Sequence, residues 1–296
     1  MMKQIFSQWH NMTEEHGRFL TAGTNYEEAQ AVLLGLPMDY TVSYQPGSRF
    51  GPGAIRRASV VLEEYSPDLD GDLKDSLICD LGDLALPIGN VAAALELIGK
   101  AARQLFADGK FPIFLGGEHL VSFPVIREAY TFYPDLAVLH LDAHADLRTD
   151  YLGEPFSHAT VMRKVAELIG PNCLYQLGIR SGSREEWAFG RTYTHMYPNA
   201  VLEPLQGILP ELQGRPVYIS LDIDVADPAF APGTGTQEPG GCSSNELLAA
   251  LRTAAALNVV GLDVVEVCPA LDFGERTAIL AAKLVREALI ALVSRR

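Results

Sequence analysis

Cysteine is scarce in this sequence: four residues in 296, and no two of them form a C-x-x-C pair. Cys79, Cys173, Cys242 and Cys268 stand far apart, which suits free thiols in a reducing cytoplasm better than a disulfide framework. No uninterrupted apolar run reaches the ~18 residues of a membrane span. The first residues, MMKQIFSQWHNMTEEHGRF, lack the apolar stretch of a secretory signal. Positive charge is also short: 23 Lys and Arg face 37 Asp and Glu, a formal net charge of −14 with no basic block. Phosphate backbones are held by clustered Lys and Arg, so no nucleic-acid partner is expected. A nucleotide fingerprint is missing as well, since Gly233-Thr234-Gly235-Thr236 has neither the Lys nor the order of a P-loop. Together these gaps exclude membrane, secreted and nucleic-acid roles and predict a cytoplasmic protein.

What is present is a core-forming composition, with 48% hydrophobic and 20% charged residues. At about 150 residues per domain the length allows one large domain or two small ones. No repeat, low-complexity tract or Ser/Gly linker divides the chain, so residues 1–296 read as a single domain with 1–30 as an N-terminal extension. Short apolar runs predict strands at 31–36, 77–81, 111–115, 136–141, 173–178, 217–221 and 259–265. Helical patterns alternate with them, among others at 91–107, 159–169, 244–256 and 278–293, with Ser243 or Ser244 as N-cap of the third. Near-continuous apolar strands separated by helices predict an α/β fold, a parallel sheet covered on both faces. Ligands of such sheets bind beyond the carboxyl ends of the strands, which makes the polar residues directly after each strand the informative ones.

Three of these ends are rich in metal-type donors. The run AVLHL leads into Asp142-Ala143-His144-Ala145-Asp146, and PVYISL leads into Asp222-Ile223-Asp224. In extended backbone, alternate residues share a face, which groups the polar members of each run. The run FPIFL ends in Gly116-Gly117-Glu118-His119, where two glycines allow a sharp turn that aims His119 over the sheet edge. Four neighbouring carboxylates repel one another unless cations hold them. Carboxylate mixed with imidazole suits Mn²⁺, with Zn²⁺, Fe²⁺ or Co²⁺ also compatible by ligand type. Six side chains exceed what one ion with an open position needs. They suit two ions bridged by shared carboxylates, about 3.5 Å apart, that activate a water. A single D-x-H or D-x-D could equally be an N-cap or a solvated turn; two of them after buried-type strands point to metal.

Gly116-Gly117-Glu118-His119, Asp142-Ala143-His144-Ala145-Asp146, Ser220-Leu221-Asp222-Ile223-Asp224-Val225-Ala226-Asp227-Pro228 and Pro232-Gly233-Thr234-Gly235-Thr236 resemble the signatures of the ureohydrolase (arginase/agmatinase) family. The similarity runs from about Ala31 to the C-terminus. It is strongest to the bacterial agmatinase branch, through Ser43-Tyr44-Gln45-Pro46-Gly47-Ser48-Arg49-Phe50-Gly51-Pro52. The resemblance implies a three-layer α/β/α domain with a central, mainly parallel sheet, two Mn²⁺ per subunit and a homotrimer or homohexamer. It implies that His119, Asp142, Asp146 and Asp222 surround one ion and Asp142, His144, Asp222 and Asp224 the other, with Asp142 and Asp222 bridging. Some positions depart from the family pattern without removing a ligand: Gly-Gly-Glu-His for the commoner Gly-Gly-Asp-His, Gln237 for a frequent Pro, and Ala159 for the usual Gly after His158.

A guanidinium carbon is a poor electrophile, and the amine expelled from it must be protonated by a nearby acid. On sequence alone His158, a lone His before a helix, reads as a cap or surface residue; the resemblance matches it to the proton-shuttle histidine. Glu266 alone would be an edge salt bridge, and the match of Asp263-Val264-Val265-Glu266-Val267 makes it the guanidinium's partner. His158, Glu266 and the bridging Asp142 are thus the expected catalytic residues, for hydrolysis of agmatine to putrescine and urea. Asp150 and Glu154, in the loop after the D-x-H-x-D run, are candidates to receive a terminal ammonium. Guanidinobutyrate or arginine remain alternative substrates, and a non-catalytic guanidino-binding relative is the reading outside enzymes. A dinuclear phosphoesterase would bring an Asn-His pair after a strand, which is missing here. His10, His16 and His195 have no partner motif, and His140 reads as packing against a helix.

Overall fold

The computed structural model describes Trp9, residues 11–14 and residues 17–293; His10 and His16 lie outside the described residues. The strands are β1 (Thr13–Glu14), β2 (Ala31–Leu36), β3 (Tyr65–Ser66), β4 (Gly71–Asp72), β5 (Ile78–Leu84) and β6 (Phe111–Gly116). They continue with β7 (Ala137–Leu141), β8 (Leu174–Ile179), β9 (His195–Pro198), β10 (Pro216–Asp222) and β11 (Asn258–Val265). Nine of them form one sheet in the order β1-β5-β2-β6-β11-β10-β7-β8-β9, and β3 pairs with β4 alone. Every neighbouring pair in the large sheet is parallel except β1 with β5 at one edge. The segment 1–30, read as an extension, therefore contributes that antiparallel edge through Thr13 and Glu14.

Buried parallel strands carry apolar side chains on both faces, and β2 illustrates how. Leu33 packs into one core, while Val32 and Leu34 pack into the other. One core lies beneath α2 (Val91–Ala107), α3 (Ser122–Phe132) and α4 (Val161–Ile169). The opposite core lies beneath α1 (Gly51–Ser59), α6 (Leu202–Leu212), α7 (Ser244–Ala254) and α8 (Arg276–Leu292). The result is the three-layer α/β/α arrangement. Helix α5 (Arg184–Tyr193) borders the sheet end, with Trp187 and Phe189 against the first core. Ser243, rather than Ser244, caps α7, accepting from Glu246 N while Glu246 reaches back to Ser243 N. Helix α1, which the sequence patterns do not single out, opens on Gly-Pro-Gly. Pro suits a first turn, and a Cβ at Gly51 would stand 2.5 Å from Val267 O, so only glycine permits that approach.

The topology is what gathers the informative strand ends. After β6 the chain leaves for β7, three positions away, and β10 and β11 later fill the gap between them. Strands β6, β11, β10 and β7 thus lie side by side and parallel, with their carboxyl ends in a row.

Helix α1, which abuts the segment after β11, is tied to β5 by a buried ion cluster. Arg56 Nε donates to Asp80 Oδ2 at 2.9 Å, Arg56 Nη2 to Gly82 O at 2.9 Å, and Arg56 Nη1 to Asp83. Removing one partner of a buried ion set leaves its counter-charges unpaired, which costs about 3–5 kcal/mol. Arg56→Ala should lower unfolding stability by about that amount in urea titrations. A loss below about 1 kcal/mol would show that backbone donors to Asp80 suffice.

Candidate active site

The carboxyl ends of β6, β11, β10 and β7 open into a cleft of about 340 Å³. His119, His144, Asp146, Asp222, Asp224, Glu266 and His158 all line it, and Asp142 lies fully buried beneath. All eight expected site residues are therefore brought to one place. The backbone that does so is less regular than strict alternation. Strand β10 ends at Asp222, a 3₁₀ turn follows over Ile223–Val225, and Asp146 adopts a left-handed conformation at φ 51°. The glycines of Gly116-Gly117 serve close approach and not an unusual φ: a Cβ at Gly117 would stand 2.0 Å from Met38 O.

His119 Nδ1 faces three carboxylates, Asp142 Oδ2 at 3.0 Å, Asp146 Oδ2 at 3.2 Å and Asp222 Oδ2 at 3.3 Å. His144 Nδ1 faces Asp224 Oδ2 at 3.0 Å and Asp142 Oδ1 at 3.5 Å. Asp142 thus turns one oxygen toward each histidine. The buried atoms His119 Nδ1 and Asp224 Oδ2 have no hydrogen-bond partner. Leaving such atoms unpaired is costly, and cations placed beside each of them would satisfy them, so the donor set fits metal. Neighbouring groups orient the donors. Ser220 Oγ donates to Asp263 Oδ1 at 2.8 Å and lies 3.0 Å from His119 Nε2. Having spent its hydrogen on Asp263, the hydroxyl accepts from Nε2–H, which leaves Nδ1 facing the carboxylates, where a bound cation would take the place of its proton.

His140 corrects the sequence reading. It does not merely pack against a helix: its Nε2 lies 2.8 Å from Asp142 Oδ2, and Gln176 Nε2 lies 3.1 Å from its Nδ1. The signal was available, since His140 precedes Asp142 by two residues and shares its face. The loop acids are a second correction. Asp150 accepts from Gly153 N and Glu154 from Phe156 N, within the loop, and the cleft is lined there by Arg148 and Tyr151 instead. Glu186, unremarked in the sequence, lines the far side; its carboxylate accepts from Leu147 N at 3.0 Å and Ser183 N at 2.7 Å and lies 3.4 Å from Arg148 Nε. His195, as expected, stands apart, stacked on Tyr175. Thr236, from the Gly-Thr-Gly-Thr turn, reaches the cleft wall.

Electrostatics at the site follow from burial. Burial and the charge of Asp142 push Asp146 up to about 7, and burial with Asp224 and Asp142 pushes Asp222 well above the carboxylate range. Asp142 goes the other way: burial opposes its charge, but His140, His119 and His144 outweigh it. For His119 and His144 burial disfavours the imidazolium, and the surrounding carboxylates outweigh it, so both stay well above the usual value. Burial and Glu118 raise Glu266 to about 8, and burial raises Glu118 to about 7. Burial lowers His140, and lowers His158 to about 4.

These shifts set a direction for stability in the metal-free protein. Acids raised in the fold release protons on unfolding, so stability declines as pH rises toward their folded values near 7–8. The raised histidines lose their contribution in the same direction, while His140 and His158, lowered in the fold, give a smaller opposite contribution that is complete about one unit above pH 6.5. Chelated protein should therefore be less stable at pH 8.5 than at pH 6.5, by up to about 1.4 kcal/mol per pH unit for each proton released. Urea unfolding at the two pH values measures it, and saturating divalent cation should flatten the difference. Equal or greater stability at pH 8.5 after chelation would contradict the assignment.

The model of the Arginase family matches residues 29–291. The chain is 53% identical over 278 residues to an agmatinase of Bacillus subtilis, covering 93% of this chain and 96% of that protein. It is 34% identical over 274 residues to a guanidinobutyrase of Pseudomonas aeruginosa, covering 88% and 86%. Among solved structures, the agmatine ureohydrolase of Thermoplasma volcanium superposes with a TM-score of 0.85 at 32% identity, covering 97% of each chain. With its motifs, sheet order and cleft accounted for, the chain belongs to the arginase family of metal-dependent ureohydrolases.

Proposed function

We propose that this enzyme hydrolyses agmatine to putrescine and urea with two Mn²⁺ ions at the strand ends. The observation that carries the reading is the cleft itself, where two imidazoles and four carboxylates converge beside the separate carboxylate of Glu266. In this reading His119, Asp142, Asp146 and Asp222 hold one ion and Asp142, His144, Asp222 and Asp224 the other. Asp142 turns one oxygen toward each imidazole, so it would serve both donor groups, and Asp222 would offer Oδ2, its Oδ1 accepting from Asp224 N. A donor set dominated by carboxylate supports manganese. The similarity to bacterial agmatinase supports a cytoplasmic protein, and a homotrimer or homohexamer is the assembly proposed with it. No helix among the described residues is long and apolar enough to cross a membrane.

When bound, the ions supply a nucleophile at neutral pH by lowering the pKa of water. Glu266 supplies orientation. It is 8% exposed, sits at φ 64°, and is pinned by its own N–H to Gly117 O at 2.8 Å. Its Oε1 accepts from His119 N at 2.9 Å, leaving Oε2 for a guanidinium N–H. An arriving guanidinium favours the ionised carboxylate, against the burial that raises it. His158, neutral at pH 7, accepts a proton as water attacks and returns it to the departing amine nitrogen as the C–N bond breaks. At the mouth, Arg148 is the one Arg or Lys of the lining among the described residues, and it is engaged by Glu186 and stacked 5.2 Å over Tyr151. A cation so engaged offers little to a carboxylate tail, which supports agmatine over guanidinobutyrate.

Urea release with added Mn²⁺ from agmatine, guanidinobutyrate, arginine and a generic phosphoester tests the reading. Agmatine should give the highest kcat/KM by at least about tenfold. Preference for an acid-tailed substrate would move the assignment to another guanidino compound, and no urea from any of them would remove the catalytic reading. Glu266→Gln keeps the acceptor for His119 N but removes the charge. It should lower kcat/KM for agmatine about 30- to 1000-fold with both ions retained by metal analysis. Near-full kcat/KM would make Glu266 structural.

A further inference from the structure

Glu118, the residue by which the Gly-Gly-Glu-His motif departs from its commoner form, has no part in the reading above, yet it is fully buried beside the cleft. Its Oε2 accepts both from Thr41 N and from Thr41 Oγ1, each at 2.8 Å. The two segments are locked together by backbone as well, with Gly117 N donating to Leu36 O at 2.9 Å and Glu118 N to Met38 O at 2.7 Å. Thr41 Oγ1 in turn accepts from His158 N at 3.1 Å and lies 3.5 Å from His158 Nδ1. The other ring nitrogen, Nε2, lies 3.5 Å from Ser43 Oγ, a residue that lines the cleft.

We infer that Glu118 and Thr41 are positioning residues that fix the tautomer of His158. A threonine hydroxyl has one hydrogen, and Glu118 takes it. Toward His158 the Thr41 oxygen can then act only as an acceptor, for the backbone N–H and for Nδ1–H. The ring proton is held on Nδ1, and the Nε2 lone pair is left on the cleft side. A shuttle must take its proton at the atom that faces the reacting groups, so the wrong tautomer would begin the cycle with that atom already blocked. The same logic operates at His119, where Ser220 and Asp263 fix the opposite tautomer. A carboxylate acting through a hydroxyl thus orients each of the two imidazoles, in opposite senses. Packing assists at His158, whose ring meets Tyr151 edge-on at 5.6 Å between centroids. Ser157 N donates to Thr160 Oγ1 at 3.0 Å and closes the turn that presents it.

This inference rests on His158 being the shuttle, and the test separates the two. Nitrogen NMR of ¹⁵N-histidine-labelled full-length protein at neutral pH reads the tautomer directly, with the His158→Asn spectrum assigning the signal. Wild type should carry the proton on Nδ1. Thr41→Val keeps the branched shape and the backbone donor to Glu118 but loses the hydroxyl. It should shift His158 toward the Nε2–H form and lower kcat about tenfold with little change in KM, while Thr41→Ser should restore both. In the His158→Asn background Thr41→Val should have no further effect on kcat, whereas a general structural defect would multiply. An Nε2–H signal in wild type overturns the inference whether or not the variants fold. So does a Thr41→Val enzyme with normal kcat when His158→Asn is slow. Full activity of His158→Asn would instead overturn the shuttle reading, leaving the tautomer measurement to stand or fall by itself.

Discussion

Buried carboxylates cannot remain ionised side by side without positive charge among them, and the architecture of this cleft follows from that constraint. Asp142 is its pivot. It is fully buried, touches His119, His140 and His144 through its two oxygens, and is the one acid of the cluster held below its ordinary range. Asp146, Asp222 and Asp224 are all pushed upward instead. Protons on the imidazoles and carboxylates balance the cluster in the metal-free chain. Divalent ions would replace those protons and satisfy the unpaired His119 Nδ1 and Asp224 Oδ2 together.

Such a cluster requires rigid supports, and the four central strands provide them. A side chain on a strand end is located by the whole hydrogen-bonded ladder, whereas one on a loop is located by a few contacts. Metal-type donors accordingly stand at the ends of β6, β7 and β10, with Glu266 immediately after β11. The backbone is strained at two of these positions, Asp146 and Glu266, both left-handed. Asp tolerates that conformation better than Glu does, so Glu266 in particular must be held by the surrounding bonds, as Gly117 O and His119 N do. The other wall of the cleft is built from residues 148–158, a loop whose tip residue Leu152 is exposed. The donor cluster and this wall are therefore separate pieces of chain.

The sequence by itself determined the α/β class, most of the sheet strands and the donor-rich ends. Each depends on local periodicity, which residues such as Asp142 and His144 carry whatever lies elsewhere in the chain. The helical patterns do not single out α1, and His140, although two residues before Asp142 and on its face, reads from sequence only as a packed residue. Only the tertiary structure decided that β10 and β11 insert between β6 and β7, putting His119 within 3.3 Å of Asp222 across about a hundred residues of sequence. Only it joined Glu118, Thr41 and His158, or removed Asp150 and Glu154 from the cleft. Local patterns state which residues share a face of one element. Which elements become neighbours is set by burial of both faces of the sheet, a property of the whole chain that no short stretch encodes.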